Sequence, residues 1–135
     1  MFGRYVHIEG TRYSVDLVGL KRSAREGNSS SQAMLGQMHL ARIVPFHSRR
    51  KGIEWLTRSA ENNDPLGMYC LARAYGIEKD LDPDGSKARA WLRRSAELGN
   101  SRAQLEYGLL LLEDGADSEE VEGWLEKAIA GGEVD

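Results

Sequence analysis

One cysteine, Cys70, and three prolines in 135 residues set the first constraints on this chain. A lone thiol forms no intrachain disulfide, so the cross-linked frameworks of small secreted domains are excluded and a reducing, cytoplasmic setting is the default expectation. Long hydrophobic runs are lacking as well. The longest aliphatic stretch, Leu109 to Leu112, falls far short of the roughly 20 apolar residues that cross a bilayer, so no membrane partner is expected. Met1 to Glu9 contains no apolar stretch of signal-peptide length, which argues against export by that route. Low-complexity segments are absent. His39, His47 and Cys70 share none of the short spacings used by structural zinc sites, so neither a metal nor a cofactor is expected.

What the chain does contain is the composition of a soluble globular protein, 41% hydrophobic and 29% charged. Its length suits one domain with a buried core. The net charge of −3 hides a strong asymmetry: from Glu106 onward ten carboxylates face Lys127 alone, −9, which leaves +6 on the preceding residues. Such polarity favours oriented association with a charged partner or head-to-tail self-contact, and a solvated acidic cap accounts for it equally well.

The dominant regularity is a repeat. Trp91-Leu92-Arg93-Arg94-Ser95-Ala96-Glu97-Leu98-Gly99-Asn100 has counterparts in Glu54 to Glu61, Gly19 to Asn28 and Gly123 to Ile129. Leu20, Leu56 and Leu92 lie 36 residues apart and Leu125 follows 33 later, a period of helix-pair length. Leu35-Gly36, Leu71-Ala72 and Tyr107-Gly108 repeat at the same interval on the preceding helices. A small residue there lets a neighbouring helix approach closely, while tryptophan and leucine on the second helix fill the space between layers. Each pair alone leaves an apolar face bare, so stacking makes the fold.

In chain order, residues 1–13 read as an irregular arm. A helix with apolar residues at Ser14-flanked helical spacing (Val15, Leu17, Val18, Leu20) runs to the Gly27-Asn28 stop over 14–27, the second half of a pair. The cluster Asn28 to Ser31 caps the next helix, Pro45 breaks the chain, and a return helix carries Ile53 to Ala60, completing a pair over 29–63. Asp64-Pro65 opens the pair 65–99, and Asn100-Ser101 opens the pair 101–131. Residues 132–135 read as a frayed terminus. The expectation is an all-α protein of about seven helices arranged as a helix-pair solenoid.

Ala88, Trp91, Ser95, Ala96, Gly99 and Asn100 match the second-helix run of the Sel-one-like repeats (SLR), relatives of the tetratricopeptide repeats, and the resemblance covers residues 14–131. It departs at Gly19, which stands where later units have tryptophan, so the first copy is degenerate and acts as a cap, or else the chain is the end of a longer array. The resemblance implies a right-handed α/α superhelix with a concave groove that binds other proteins. Tetratricopeptide groove positions carried onto this sequence fall on Gln37, Tyr69, Arg73, Arg102, Leu105 and Leu109. Alanine at Tyr69, Arg73 or Arg102 is expected to weaken partner binding and leave melting nearly unchanged.

Three motifs compete with that reading. Asp80-Leu81-Asp82-Pro83-Asp84-Gly85 opens like a calcium loop, yet Trp91 stands where the bidentate glutamate is required. Ser48-Arg49-Arg50-Lys51 has the Ser-x-x-Lys spacing of penicillin-recognising serine enzymes, without their Ser-Asp-Asn or Lys-Thr-Gly companions, and a helix cap explains Ser48 better. Basic residues cluster at Arg42, Arg49, Arg50, Lys51 and Arg58 and again at Lys87, Arg89, Arg93 and Arg94, without stacked aromatics among them and in an acidic chain, so nucleic acid is not expected. The function expected is therefore a non-enzymatic adaptor or scaffold binding a peptide or protein. The alternatives are an immunity or antitoxin-like protein that neutralises a cognate toxin and, remotely, a penicillin-recognising serine hydrolase. The sequence leaves the partner and the oligomeric state open.

Overall fold

The computed structural model describes residues 4–8 and 11–132. Its contacts divide the chain into two compact units, residues 1–67 and 68–135.

The first unit begins with an antiparallel hairpin, β1 (Arg4–Ile8) and β2 (Thr11–Val15), in the register Arg4↔Val15 to Ile8↔Thr11. Residues 1–13 were expected to be irregular and Ser14 and Val15 to be helical. Two short segments rich in Tyr, Val, Ile and Thr instead find each other as strands, for which those side chains have the higher propensity. The helix starts only at α1 (Leu17–Arg25), where Asp16 Oδ1 accepts the Gly19 N–H at 2.9 Å. It is followed by α2 (Ser29–Leu40) and α3 (Arg49–Glu61). The connection between those two keeps Val44 buried, with Leu17 and Met38, beneath partly buried Leu20 and Ile43.

The second unit holds most of α4 (Pro65–Ile77), whose first turn lies before the division, then a short 3-10 turn (Lys79–Leu81), α5 (Ser86–Glu97), α6 (Ser101–Glu113) and α7 (Ser118–Gly131). Its core brings Tyr69 and Ala72 of α4 together with Leu92 and Ala96 of α5, Tyr107 and Leu111 of α6 and Val121 of α7. Tyr107 and Trp124 meet edge to face, 5.4 Å between ring centroids.

The junction between successive pairs is built the same way each time. Gly27, Asn63 and Gly99, 36 apart, take φ of +100°, +59° and +100°, the left-handed region that glycine and asparagine tolerate. The next residue caps the following helix: Asn28 Oδ1 accepts from Ser31 N at 2.9 Å, Asp64 Oδ1 from Leu66 N at 2.9 Å, and Asn100 Oδ1 from Ala103 N at 2.9 Å. Buried side chains tie the reversal down. Gln32 Nε2 donates to the Ala24 carbonyl at 3.0 Å, and Gln104 Nε2, in the equivalent position, donates to the Ala96 carbonyl at 3.2 Å. Ser59, fully buried, donates to the Ser29 carbonyl at 2.8 Å.

Small residues set the crossing within a pair. A Cβ on Gly36 would lie 2.8 Å from Leu56 Cγ and 2.9 Å from the Gly52 carbonyl oxygen, and one on Gly108 would lie 3.1 Å from Leu125 Cδ2. A tryptophan lies near the middle of each of α3, α5 and α7, and each carries a cation three residues later over its ring: Arg58 on Trp55 at 4.8 Å, Arg94 on Trp91 at 5.6 Å and Lys127 on Trp124 at 4.6 Å. These partly buried indoles thus pack one face inward and present the other to a positive charge.

Two outcomes follow from this packing. Gly36→Ala cannot relax against the Gly52 backbone, so it should destabilise the protein by about 1–3 kcal/mol, read as a fall in Tm of several degrees. The second concerns His39, which is buried and accepts the Ser48 N–H on Nδ1 at 3.1 Å. Burial, then the charges of Lys51, Lys21 and His47, hold its pKa below the ordinary 6.5. As pH falls below that value the unfolded chain takes up the proton first, so stability present above it is lost on acidification through the depressed folded value. Melting curves from about pH 8 to about pH 5 should show a shallower acid loss in His39→Gln than in the parent.

Candidate protein-binding face

The candidate residues lie on the first helices of the pairs. Gln37 is exposed on α2, in the first unit. Tyr69 and Arg73 sit one turn apart on α4, and Arg102, Leu105 and Leu109 follow one another at helical spacing along one face of α6, all in the second unit.

There the structure draws Tyr69, Arg73 and Arg102 around a residue that the sequence reading did not single out. Glu106 Oε1 accepts the Tyr69 hydroxyl hydrogen at 2.6 Å, joining α4 to α6. Burial, the hydrogen bond to Glu106 and its negative charge raise the Tyr69 pKa above its ordinary value, against the opposing charges of Arg73 and Arg102. The Arg73 guanidinium lies 5.9 Å from the Tyr69 ring centroid. Tyr69 itself is only 5% exposed and belongs to the core. Alanine there removes packing as well as a contact surface, contrary to the expectation that melting would be nearly unchanged. Arg73 and Arg102 are exposed, and Leu105 and Leu109 are each 45% exposed.

Beside this cluster opens a cavity of about 290 Å³. Its floor is apolar, from Ala72, Gly76, Ala88, Leu92 and Leu110, and Arg73, Arg89 and Glu106 stand among its walls. Arg89 is anchored to Asp114 by an ion pair at 2.5 Å. A pocket of this kind admits one or two apolar side chains of a ligand while offering charges of both signs at its edge.

The competing motifs are engaged in structural contacts. Asp82, 4% exposed, accepts from Lys87 N at 3.1 Å and Ala88 N at 2.8 Å, closing the first turn of α5. Asp84 accepts from Ser86 N at 3.0 Å, and hydrogen bonding at Ser86 holds its carboxyl below the usual range. Among the described residues no three His, Cys, Asp or Glu side chains converge as a metal site. Ser48 Oγ caps α3, accepting from Lys51 N at 3.2 Å. Cys70 is buried. Of the basic residues, Arg50 pairs with Glu54 and Arg93 with Glu97 across one helical turn, while Arg58 and Arg94 lie on indole rings. No helix among the described residues is long and apolar enough to cross a membrane.

Comparison with known proteins agrees with the internal periodicity. The Sel1 repeat matches three times, over residues 29–64, 65–100 and 101–133. The structure superposes on that of a Sel1 repeat protein from Oxalobacter formigenes with a TM-score of 0.76 and 29% identity, covering 87% of this chain and 90% of that one. It also resembles c5321, a protective antigen present in uropathogenic Escherichia coli strains and displaying an SLR fold, with a TM-score of 0.73 and 31% identity over 86% of this chain and 26% of the other. No curated protein matches. The fold class is thus an all-α helical-repeat solenoid, to which the N-terminal hairpin is an addition. Proteins of this class are generally non-catalytic scaffolds for protein–protein interaction. With three matched repeats spanning most of its length, the chain belongs to the Sel1 repeat family.

Proposed function

We propose that the protein is an adaptor that binds a peptide or protein partner on the face that α4 and α6 present in the second unit, with Arg73 and Arg102 as charged contacts and Leu105 and Leu109 as apolar ones. Gln37, 36 residues before Arg73, is the equivalent exposed position within the first unit and a contact candidate there. The observation that carries this reading is where apolar surface is left open. Leu105, Leu109 and Leu112 follow Arg102 at helical spacing along one face of α6 and are each at least 45% exposed. Exposed apolar side chains rimmed by arginine are the composition of protein-binding surfaces. The cavity beside Tyr69 supports the same reading by offering a place for an anchoring side chain. Location in the cytoplasm belongs to the reading too, supported by the single cysteine, Cys70, which forms no intrachain disulfide.

The test is site-specific photocross-linking in the source cells. A photoreactive residue at Leu105 or Leu109 should capture one partner that is not captured from Leu98 or Ile129, which are equally exposed but lie on second helices or their ends. Arg73→Ala with Arg102→Ala should weaken that partner about tenfold or more with little change in Tm. Tyr69→Phe, which keeps the ring and frees Glu106, should fold normally and lower affinity; Tyr69→Ala should lose about 3–5 kcal/mol of stability. Identical capture from all four positions would defeat the reading.

A further inference from the structure

The first unit carries a second surface of different chemistry. A cavity of about 340 Å³ opens between α1 and α3, over Leu35 and His39 of α2. Its charged lining is Lys21, Arg25 and Lys51, with no carboxylate among the residues that form it. None of the three forms an ion pair among the described residues. Burial first, and then the charges of Lys51, Lys21 and His47, lower the pKa of His39, which lines the same cavity.

The rest of the lining is aromatic. Trp55 forms part of the wall, and Phe46 stands at the mouth, 90% exposed. Phe46 has φ of +56°. A bulky residue rarely adopts the left-handed region, and a phenylalanine held there in full contact with water gains nothing from folding. Its placement makes sense when something covers it.

The chain supplies a matching surface. Glu119, Glu122, Glu126 and Ile129 follow each other at helical spacing along one outward face of α7, all exposed, with Ile129 at 65%. The one cation within the α7 sequence, Lys127, lies over Trp124 on another face. Three carboxylates and an isoleucine on α7 complement, in sign and in apolar character, the three cations and the exposed phenylalanine of the pocket. The geometry points to a head-to-tail contact between copies of this chain, the acidic face of α7 from one copy docking in the basic aromatic pocket between α1 and α3 of another. The contact is heterologous, so a pair of copies keeps an empty pocket on one and an undocked α7 on the other, to which further copies add. Its charge pairs lie at the rim, where they steer association and respond to salt.

Sedimentation velocity on the full chain tests this. At about 50 mM salt the weight-average mass should rise above the 15.0 kDa of one chain as concentration increases, and about 0.5 M salt should weaken the association about tenfold or more. Lys21→Gln with Lys51→Gln removes the pocket's charge, Glu122→Gln with Glu126→Gln removes that of α7, and each variant alone should remain monomeric. Mixed together they retain one intact pocket and one intact α7, so the mixture should stop at a dimer. Phe46→Asn, whose side chain tolerates the left-handed backbone, should fold as well as the parent and lose the association. A parent that stays monomeric at every concentration overturns the inference, as does assembly indifferent to salt, assembly retained by either double variant, or a mixture that yields no dimer.

Discussion

Everything in this protein depends on the chain reversing direction within two or three residues between one helix pair and the next. A helix cannot be followed at once by another at a steep angle unless one residue leaves the right-handed region and the freed amides and carbonyls find partners. Gly27, Asn63 and Gly99 provide the first condition and Asn28, Asp64 and Asn100 the second. Buried serines and glutamines supply the remaining acceptors and donors, as with Ser59 on the Ser29 carbonyl and Gln32 on the Ala24 carbonyl. The repeat period is therefore a record of hydrogen-bond satisfaction as much as of apolar packing.

Within each pair the second constraint is distance. Gly36 leaves no room for another carbon and Gly108 leaves little, which brings leucines of the returning helix directly against the first helix. The tryptophan beside that leucine is too large to bury wholly, and a cation one turn later covers its remaining face. This arrangement places arginine and lysine on the outside of the second helices as parts of the scaffold.

Most of this architecture was legible because its signals are local. Proline at 65, asparagine at 28 and 100, and the small residues at 36, 72 and 108 each state their purpose within a turn or two of sequence. The hairpin was not legible: Val15 and Leu17 extend the apolar spacing of α1, so the pattern ran past Asp16, and the pairing that makes strands of 4–8 and 11–15 depends on a partner segment rather than on either segment alone. Site residues were harder still. Positions 33, 69 and 105 are equivalent in the repeat, yet Ala33 and Tyr69 are buried and Leu105 is half exposed. The repeat register says which helix face a residue shares, whereas its burial depends on what stands opposite it in space. Glu106 was missed for a related reason, since it reads as the start of an acidic segment until the Tyr69 hydroxyl is found 2.6 Å away.

Cys70 has a consequence of a practical kind. It is the single thiol of the chain, lies on α4 one residue from Tyr69 and is buried, so a thiol-modifying reagent reaches it only when that helix detaches from its neighbours. The rate of its alkylation under native conditions measures how often the middle of the repeat array breathes, with no label introduced and no other sulfhydryl to confuse the signal.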